Sequence, residues 1–237
     1  MSDDPIPDNL QFYIDTWKKL LPDYQIILWD KKRFDINSVP WVKEAYEAKK
    51  YAFAADYIRC YALFNYGGIY LDSDVEVLKP FDSLLCYPYL IGKENEGIWE
   101  AATMGAEKGM QLFGLMLEYY KERHFKKEDK SLDMKPLPHI IRDVALSKYE
   151  TIEIEDINDF EVNSEKLQIL PVDYFSPKKR STGKINTSPN TYSIHHFRGS
   201  WVSPYRKLMI KLSRKLPRLM TTLASMKKKI IKRFNVL

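Results

Sequence analysis

The 237-residue chain has only two cysteines, Cys60 and Cys86, which excludes a disulfide-stapled scaffold and a cysteine-based zinc framework. The pair reads as two small core residues in a reducing compartment. No apolar run approaches the roughly 20 residues that a membrane span needs. The opening Met1-Ser2-Asp3-Asp4 is acidic and lacks the basic-then-apolar pattern of a secretory signal. Gly-rich phosphate loops of either standard kind are missing, as is a Ser/His/Asp order suited to nucleophilic catalysis. Internal repeats and low-complexity linkers are missing too. What remains is a globular composition, 45% hydrophobic and 29% charged, long enough for one domain with a sizeable core.

The net charge of +5 is unevenly spread. Of the 37 Lys and Arg residues, eleven lie in 206–237, where there is no Asp or Glu. The other 205 residues therefore carry 26 basic and 32 acidic side chains, a net of −6. A mildly acidic body with a basic tail is not the profile of a nucleic-acid binder.

Along the body, apolar positions Leu10, Tyr13, Ile14, Trp17, Leu20 and Leu21 repeat with a helical rhythm over 9–21. Residues 24–29 read as a buried strand ending at Asp30, and 41–50 as a short helix. A stronger helix over 52–65 closes at Gly67-Gly68, where glycine supplies the left-handed cap. Short strands are expected at 69–71, 75–78, 89–92, 151–154 and 191–196, and helices at 108–122 and 139–148. Helices alternating with short apolar strands predict an α/β layered fold with a mostly parallel central sheet. The polar stretch 121–135 is the expected mobile excursion.

Chemistry concentrates in Ala54-Ala55-Asp56-Tyr57-Ile58-Arg59 and, further on, Tyr66-Gly67-Gly68-Ile69-Tyr70-Leu71-Asp72-Ser73-Asp74. Asp56 and Arg59, three residues apart, share one face of an otherwise apolar helix. Burying them is costly unless they meet each other or a ligand, so a structural ion pair is the plain alternative to a binding role. Asp72 and Asp74 follow a strand, where an open α/β sheet presents its ligands. Two carboxylates at i and i+2 can converge on a hard divalent cation, Mn2+ or Mg2+; taken alone they are equally a solvated turn. Downstream, Tyr192-Ser193-Ile194-His195-His196-Phe197-Arg198-Gly199-Ser200-Trp201 supplies two histidines, either of which suits a third ligand position.

The ungapped match of Asp56, Arg59, Tyr66 to Asp72, and Asp74 closely resembles the DXD-containing sugar transferases of glycosyltransferase family 32. That family includes bacterial capsule and surface-polysaccharide transferases and yeast mannosyltransferases and, more distantly, the large glucosylating toxins. Weaker similarity runs from about Trp17 to Trp201. The resemblance implies a GT-A type, Rossmann-like nucleotide-diphosphosugar domain over 1–205. It implies that Asp74 ligates the metal, while Asp72 holds the ribose or donor sugar and assists the metal. Asp56 and Arg59 contact hydroxyls of the transferred sugar, and Tyr70 lines its pocket. A His-aromatic-x-Gly element in related enzymes supplies a metal ligand, and His196 is preferred over His195 because Phe197 and Gly199 then fall in place. Ser200 and Trp201 would face the β-phosphate. Two departures stand out. Relatives open with a strand like Ile-Pro-Lys-Ile-Ile-His, and this chain begins after that point. They also commonly place a sugar-contacting Asn near Glu100-Ala101-Ala102; alanine has no such group, whereas Glu100 is polar.

In the tail, Leu208, Leu212, Leu216, Leu219, Leu223, Met226, Ile230 and Phe234 form a helical stripe interrupted at Pro217. A basic amphipathic helix of this kind lies on an anionic membrane surface or packs back on the body with its basic end solvated; the membrane surface is preferred because Lys227-Lys228-Lys229 and Lys232-Arg233 have no acidic partners nearby in sequence. The combined expectation is a retaining, metal-dependent glycosyltransferase using a nucleotide-diphosphate sugar, UDP-linked in preference to GDP-linked. Its acceptor is a glycan or lipid-linked oligosaccharide in surface-polysaccharide synthesis, and the enzyme sits in the cytoplasm against the inner face of the membrane. The alternative is a degenerate relative that binds glycan or membrane without transfer. A glycosidase fits poorly, since carboxylates two residues apart do not flank a bond at the separation of about 5 Å or more which that chemistry needs.

Overall fold

A computed structural model describes residues 6–94 and 97–199. The chain runs α1 (Asp8–Leu20), α2 (Pro40–Glu47), α3 (Tyr51–Tyr66), β1 (Gly68–Leu71), β2 (Val75–Val77), β3 (Tyr89–Leu90), β4 (Thr103–Ala106), α4 (Gln111–Tyr120), α5 (Leu137–Leu146), β5 (Thr151–Glu153), β6 (Leu167–Ile169), α6 (Val172–Phe175) and β7 (Ser193–His195). No helix among the described residues is long and apolar enough to cross a membrane.

Helix α3 is the spine. It is apolar nearly all round, so it is buried nearly all round, with Phe53, Ala54, Ile58, Cys60, Ala62 and Leu63 in the core. It packs between α2 and α4. It stops at Gly67, whose φ of +72° favours glycine; a Cβ there would also lie 2.7 Å from the Lys108 backbone nitrogen. The chain then enters β1 at once. One core cluster gathers Trp41, Phe53, Phe113, Tyr120 and Phe125 around these helices. A second lies under β2 and β7 and holds Trp17, Val75, Phe81, Tyr174, Phe175 and Tyr192. Trp17 of α1 ties into it by donating its indole N–H to the Val75 carbonyl at 2.7 Å.

The pairing departs from a mostly parallel sheet. Strand β4 lies between β1 and β3, antiparallel to both. Strands β2 and β7 form a separate antiparallel ribbon, with Val75 opposite His195 and Val77 opposite Ser193. Only the β5–β6 ladder is parallel among the named ladders of the described residues. No α-helix stands between β1 and β4 or between β3 and β4, so neither pair is the strand–helix–strand unit from which parallel sheets are built.

Two further expectations give way. Residues 24–29 form no strand ladder among the described residues, and Ile26 and Leu28 are exposed at 45% and 65%. The 121–135 stretch is fastened to the body rather than projecting from it. Phe125 is fully buried, and Glu44 accepts from the Lys126 backbone N–H at 2.9 Å and meets His124 at 2.7 Å. One aromatic anchor in a polar sequence is enough to dock such a loop.

Candidate functional site

The site forms where α3, the turn after β1 and the end of β7 meet. The Asp56 and Arg59 positions sit on one face of α3, and their charged groups pair at 3.2 Å. Arg59 reaches further, to both carboxylate oxygens of Asp72 at 3.2 and 3.3 Å, and donates to the Ala101 carbonyl at 2.7 Å. Its guanidinium lies over the Tyr70 ring, 4.7 Å from the centroid. Tyr70 in turn donates its hydroxyl to Asp72 at 2.6 Å. The structural ion pair and the binding reading are therefore not exclusive, because one buried arginine organises two carboxylates.

The turn Asp72-Ser73-Asp74 is held by backbone bonds. The Asp72 N–H donates to the Ala102 carbonyl at 2.8 Å, and the Val75 N–H returns to the Asp72 carbonyl at 2.9 Å. Asp74 is fixed from β7's exit: its carboxylate accepts from the Arg198 backbone N–H at 2.7 Å, and its carbonyl accepts from the His196 N–H at 3.1 Å.

The histidine that joins the acidic pair is His195. Ligand atoms of Asp72, Asp74 and His195 all lie within 4.8 Å of one another, with His195 Nε2 3.7 Å from the Asp74 carboxylate. His196 points the other way. Its Nε2 meets Glu76 at 2.7 Å, its Nδ1 meets Lys178 Nζ at 3.1 Å, and its ring stacks on Tyr13. The preference for His196 is thus corrected to His195, and the cause is the strand pleat. In the β2–β7 register Glu76 opposes Ile194, so Ile194 and His196 share Glu76's face while Ser193 and His195 share the other.

The electrostatics of the cluster are unbalanced. Burial pushes the Asp72 carboxyl above its usual range; Arg59 opposes this and Asp74 reinforces it. Burial likewise raises Asp56 to about 7, against the pull of Arg59. Burial works against a charged His195 ring, yet the carboxylates of Glu100, then Asp74 and Asp72, outweigh it and hold the pKa at about 9. Arg59 pairs with Asp56 and Asp72, whereas Asp74 faces His195. Two carboxylates and an imidazole form a donor set suited to Mn2+ or Mg2+.

Of the other residues singled out from the sequence, Tyr70 serves Asp72 rather than an open pocket wall. Ser200, Trp201 and the tail lie outside the described residues. Glu100 is fully buried behind His195 and cannot reach a sugar in an open pocket.

A family model described as a glycosyltransferase sugar-binding region containing the DXD motif matches residues 7–90. Inositol phosphoceramide mannosyltransferase 3 of Schizosaccharomyces pombe is 35% identical over 94 residues, 38% of this chain and 26% of that protein. Mannosyl phosphorylinositol ceramide synthase SUR1 of Saccharomyces cerevisiae is 37% identical over 80 residues, 32% of this chain and 21% of that protein. A solved structure, the PaToxG glycosyltransferase, aligns with a TM-score of 0.46 at 20% identity, covering 61% of this chain and 64% of the other. The chain spans about a quarter of the length of the curated relatives it matches. Over these residues it is similar to the DXD sugar transferases.

Proposed function

We propose that the chain is a metal-dependent, retaining glycosyltransferase of GT-A type, moving a sugar from a nucleotide diphosphate to a hydroxyl of a glycan or lipid-linked acceptor. The observation that carries this is the convergence of Asp72, Asp74 and His195 beside the Asp56–Arg59 pair. Asp72, Asp74 and His195 would hold the metal. When bound, it supplies positive charge against the departing diphosphate, which then needs no acid. The chain's own part is positional. Arg59 stays charged and holds Asp56 and Asp72 in one orientation, and Tyr70 fixes the Asp72 oxygen it donates to. Asp56, next to Arg59, would accept from a sugar hydroxyl. We assign no nucleophile: the reading is a same-face displacement, with the leaving diphosphate taking the acceptor's proton.

The matched relatives are named for mannosyl transfer to inositol phosphoceramide, which supports a lipid-linked acceptor. A UDP-linked donor, a role in surface-polysaccharide synthesis and residence on the anionic inner face of a membrane through 206–237 belong to the same proposal.

The test is release and transfer of sugar from UDP- and GDP-linked donors with Mn2+ present, followed by mass spectrometry, with Asp74→Asn as control. Turnover of one donor class that the control loses supports the reading. No release from any donor, with nucleotide and metal both left unbound in calorimetry, would establish the non-catalytic alternative. Sedimentation with anionic vesicles, with and without 206–237, tests the membrane assignment.

A further inference from the structure

His195 sits between two groups of acids. Its Nε2 side faces Asp74, and its Nδ1 side faces Glu100 at 3.2 and 3.3 Å to the two carboxylate oxygens. Glu100 is wholly buried. One of its oxygens also accepts the Ala102 backbone N–H at 2.5 Å, which fixes the carboxylate to the segment leading into β4. Glu94, also buried, lies in the same group, since ligand atoms of Glu94, Glu100 and His195 fall within 4.8 Å of one another.

A second metal site is the obvious reading of those three, and the geometry argues against it. Glu94 already carries the guanidinium of Arg180 at 3.1 Å, and Arg180 is braced over the Phe197 ring, 4.6 Å from its centroid. The Glu94 charge is thus already met by a guanidinium. Phe197 also packs on the His195 ring, with centroids 4.1 Å apart. The group is built to hold the ring from behind, not to ligate.

We propose that Glu100 is the positioning residue of the site: it accepts the His195 Nδ1 proton and thereby turns the Nε2 lone pair toward the Asp72–Asp74 turn. This rests on the metal reading given under Proposed function. Carboxylates in this position fix both ring orientation and tautomer, and their loss typically weakens metal binding about 10–100-fold. Nothing in the sequence pairs residue 100 with residue 195. The link exists because β4 and β7 approach each other at Thr103 and Ser193, whose hydroxyls are 3.1 Å apart.

The test uses the full-length chain in two readouts. The first is a 15N–1H spectrum of histidine-labelled, metal-free protein at pH 10.5, where the ring is neutral, with the His195 signals assigned from His195→Gln. The proposal requires the Nδ1–H tautomer in the unaltered chain; the Nε2–H tautomer overturns it, whether or not any variant folds. The second is the Mn2+ dissociation constant by EPR, measured from pH 7 to 9 in each variant and corrected for the fraction of His195 rings that carry a proton, since Glu100 also raises the His195 pKa. Glu100→Ala is expected to raise it about 10–100-fold. Glu100→Gln, which keeps an acceptor oxygen, is expected to recover most of that loss. A Glu100→Ala protein that binds Mn2+ within about twofold of the unaltered chain overturns the proposal. An unaltered chain that binds no Mn2+ defeats the metal reading instead, and the tautomer then decides the role of Glu100 by itself.

Discussion

If His195 is a metal ligand, cation binding must compete with a proton, and the structure sets how strongly. The His195 pKa is held at about 9 by Glu100, Asp74 and Asp72 despite burial. At pH 7 only about 1% of the rings are neutral, so the apparent Mn2+ affinity is about 100-fold below its limit. Affinity should therefore tighten about tenfold per pH unit between pH 7 and 9 and then level off. Burial places Asp56 at about 7, so its own titration is largely complete by pH 8 and the interval from pH 8 to 9 isolates the histidine. Stability runs the other way in the metal-free protein. A folded pKa raised from 6.5 to about 9 gives stability that is fully present below pH 6.5 and lost as pH rises through 9, about 3 kcal/mol in all. Calorimetry in buffers of differing ionisation heat would count about one proton released per Mn2+ at pH 7. His196→Gln should keep this pattern and His195→Gln should lose it. A dissociation constant that is flat from pH 7 to 9, or zero proton release, would refute the assignment of His195.

Four substitutions probe the rest. Asp74→Asn removes a charged ligand but keeps an oxygen for the Arg198 N–H; sugar release should fall about 100-fold or more while the thermal melt barely moves. Arg59→Met leaves Asp56 and Asp72 buried without their cation and should cost about 3–5 kcal/mol in urea unfolding, partly recovered by adding Asp56→Asn. Gly67→Ala meets both positive φ and the Lys108 nitrogen and should cost about 1–3 kcal/mol, read as a lowered melting temperature. Phe125→Ala empties the anchor of the 121–135 stretch and should cost about 3–5 kcal/mol by the same melt.

What could be read from the sequence was whatever the chain determines locally. Helix α3, its glycine stop and the short strand before Asp72 follow from an apolar run, two glycines and a β-prone triplet that lie side by side. Strand β4 does not. Thr103-Met104-Gly105-Ala106 carries little strand propensity, and Gly105 leaves room for a neighbour: a Cβ there would lie 2.9 Å from Leu90 Cδ1 and 3.1 Å from its Cβ. That constraint belongs to the β3–β4 pairing and has no local trace. The 24–29 run fails in the opposite sense, since strand-like residues do not make a strand without a partner to pair with.

The site divides along the same line. Asp72 and Asp74 were legible because one turn carries both, and Asp56 with Arg59 because one helix face does. Choosing between adjacent histidines needed a long-range register, because neighbours on a strand face opposite ways. A sequence signal did exist in Glu76. It stands two residues after Asp74 on a strand whose flanking Val75 and Val77 are buried, so its carboxylate must leave the core side, and the histidine that meets it must leave with it. That argument assigns His196 to Glu76 at 2.7 Å and sends His195 to the acidic turn. It requires only that β2 pair with the histidine strand with Val75 opposite His195, the register the structure contains. The motif's spacing and the strand's pleat therefore make separate demands, and where they disagree about a ligand it is the pleat that decides, because a side chain cannot cross its own sheet.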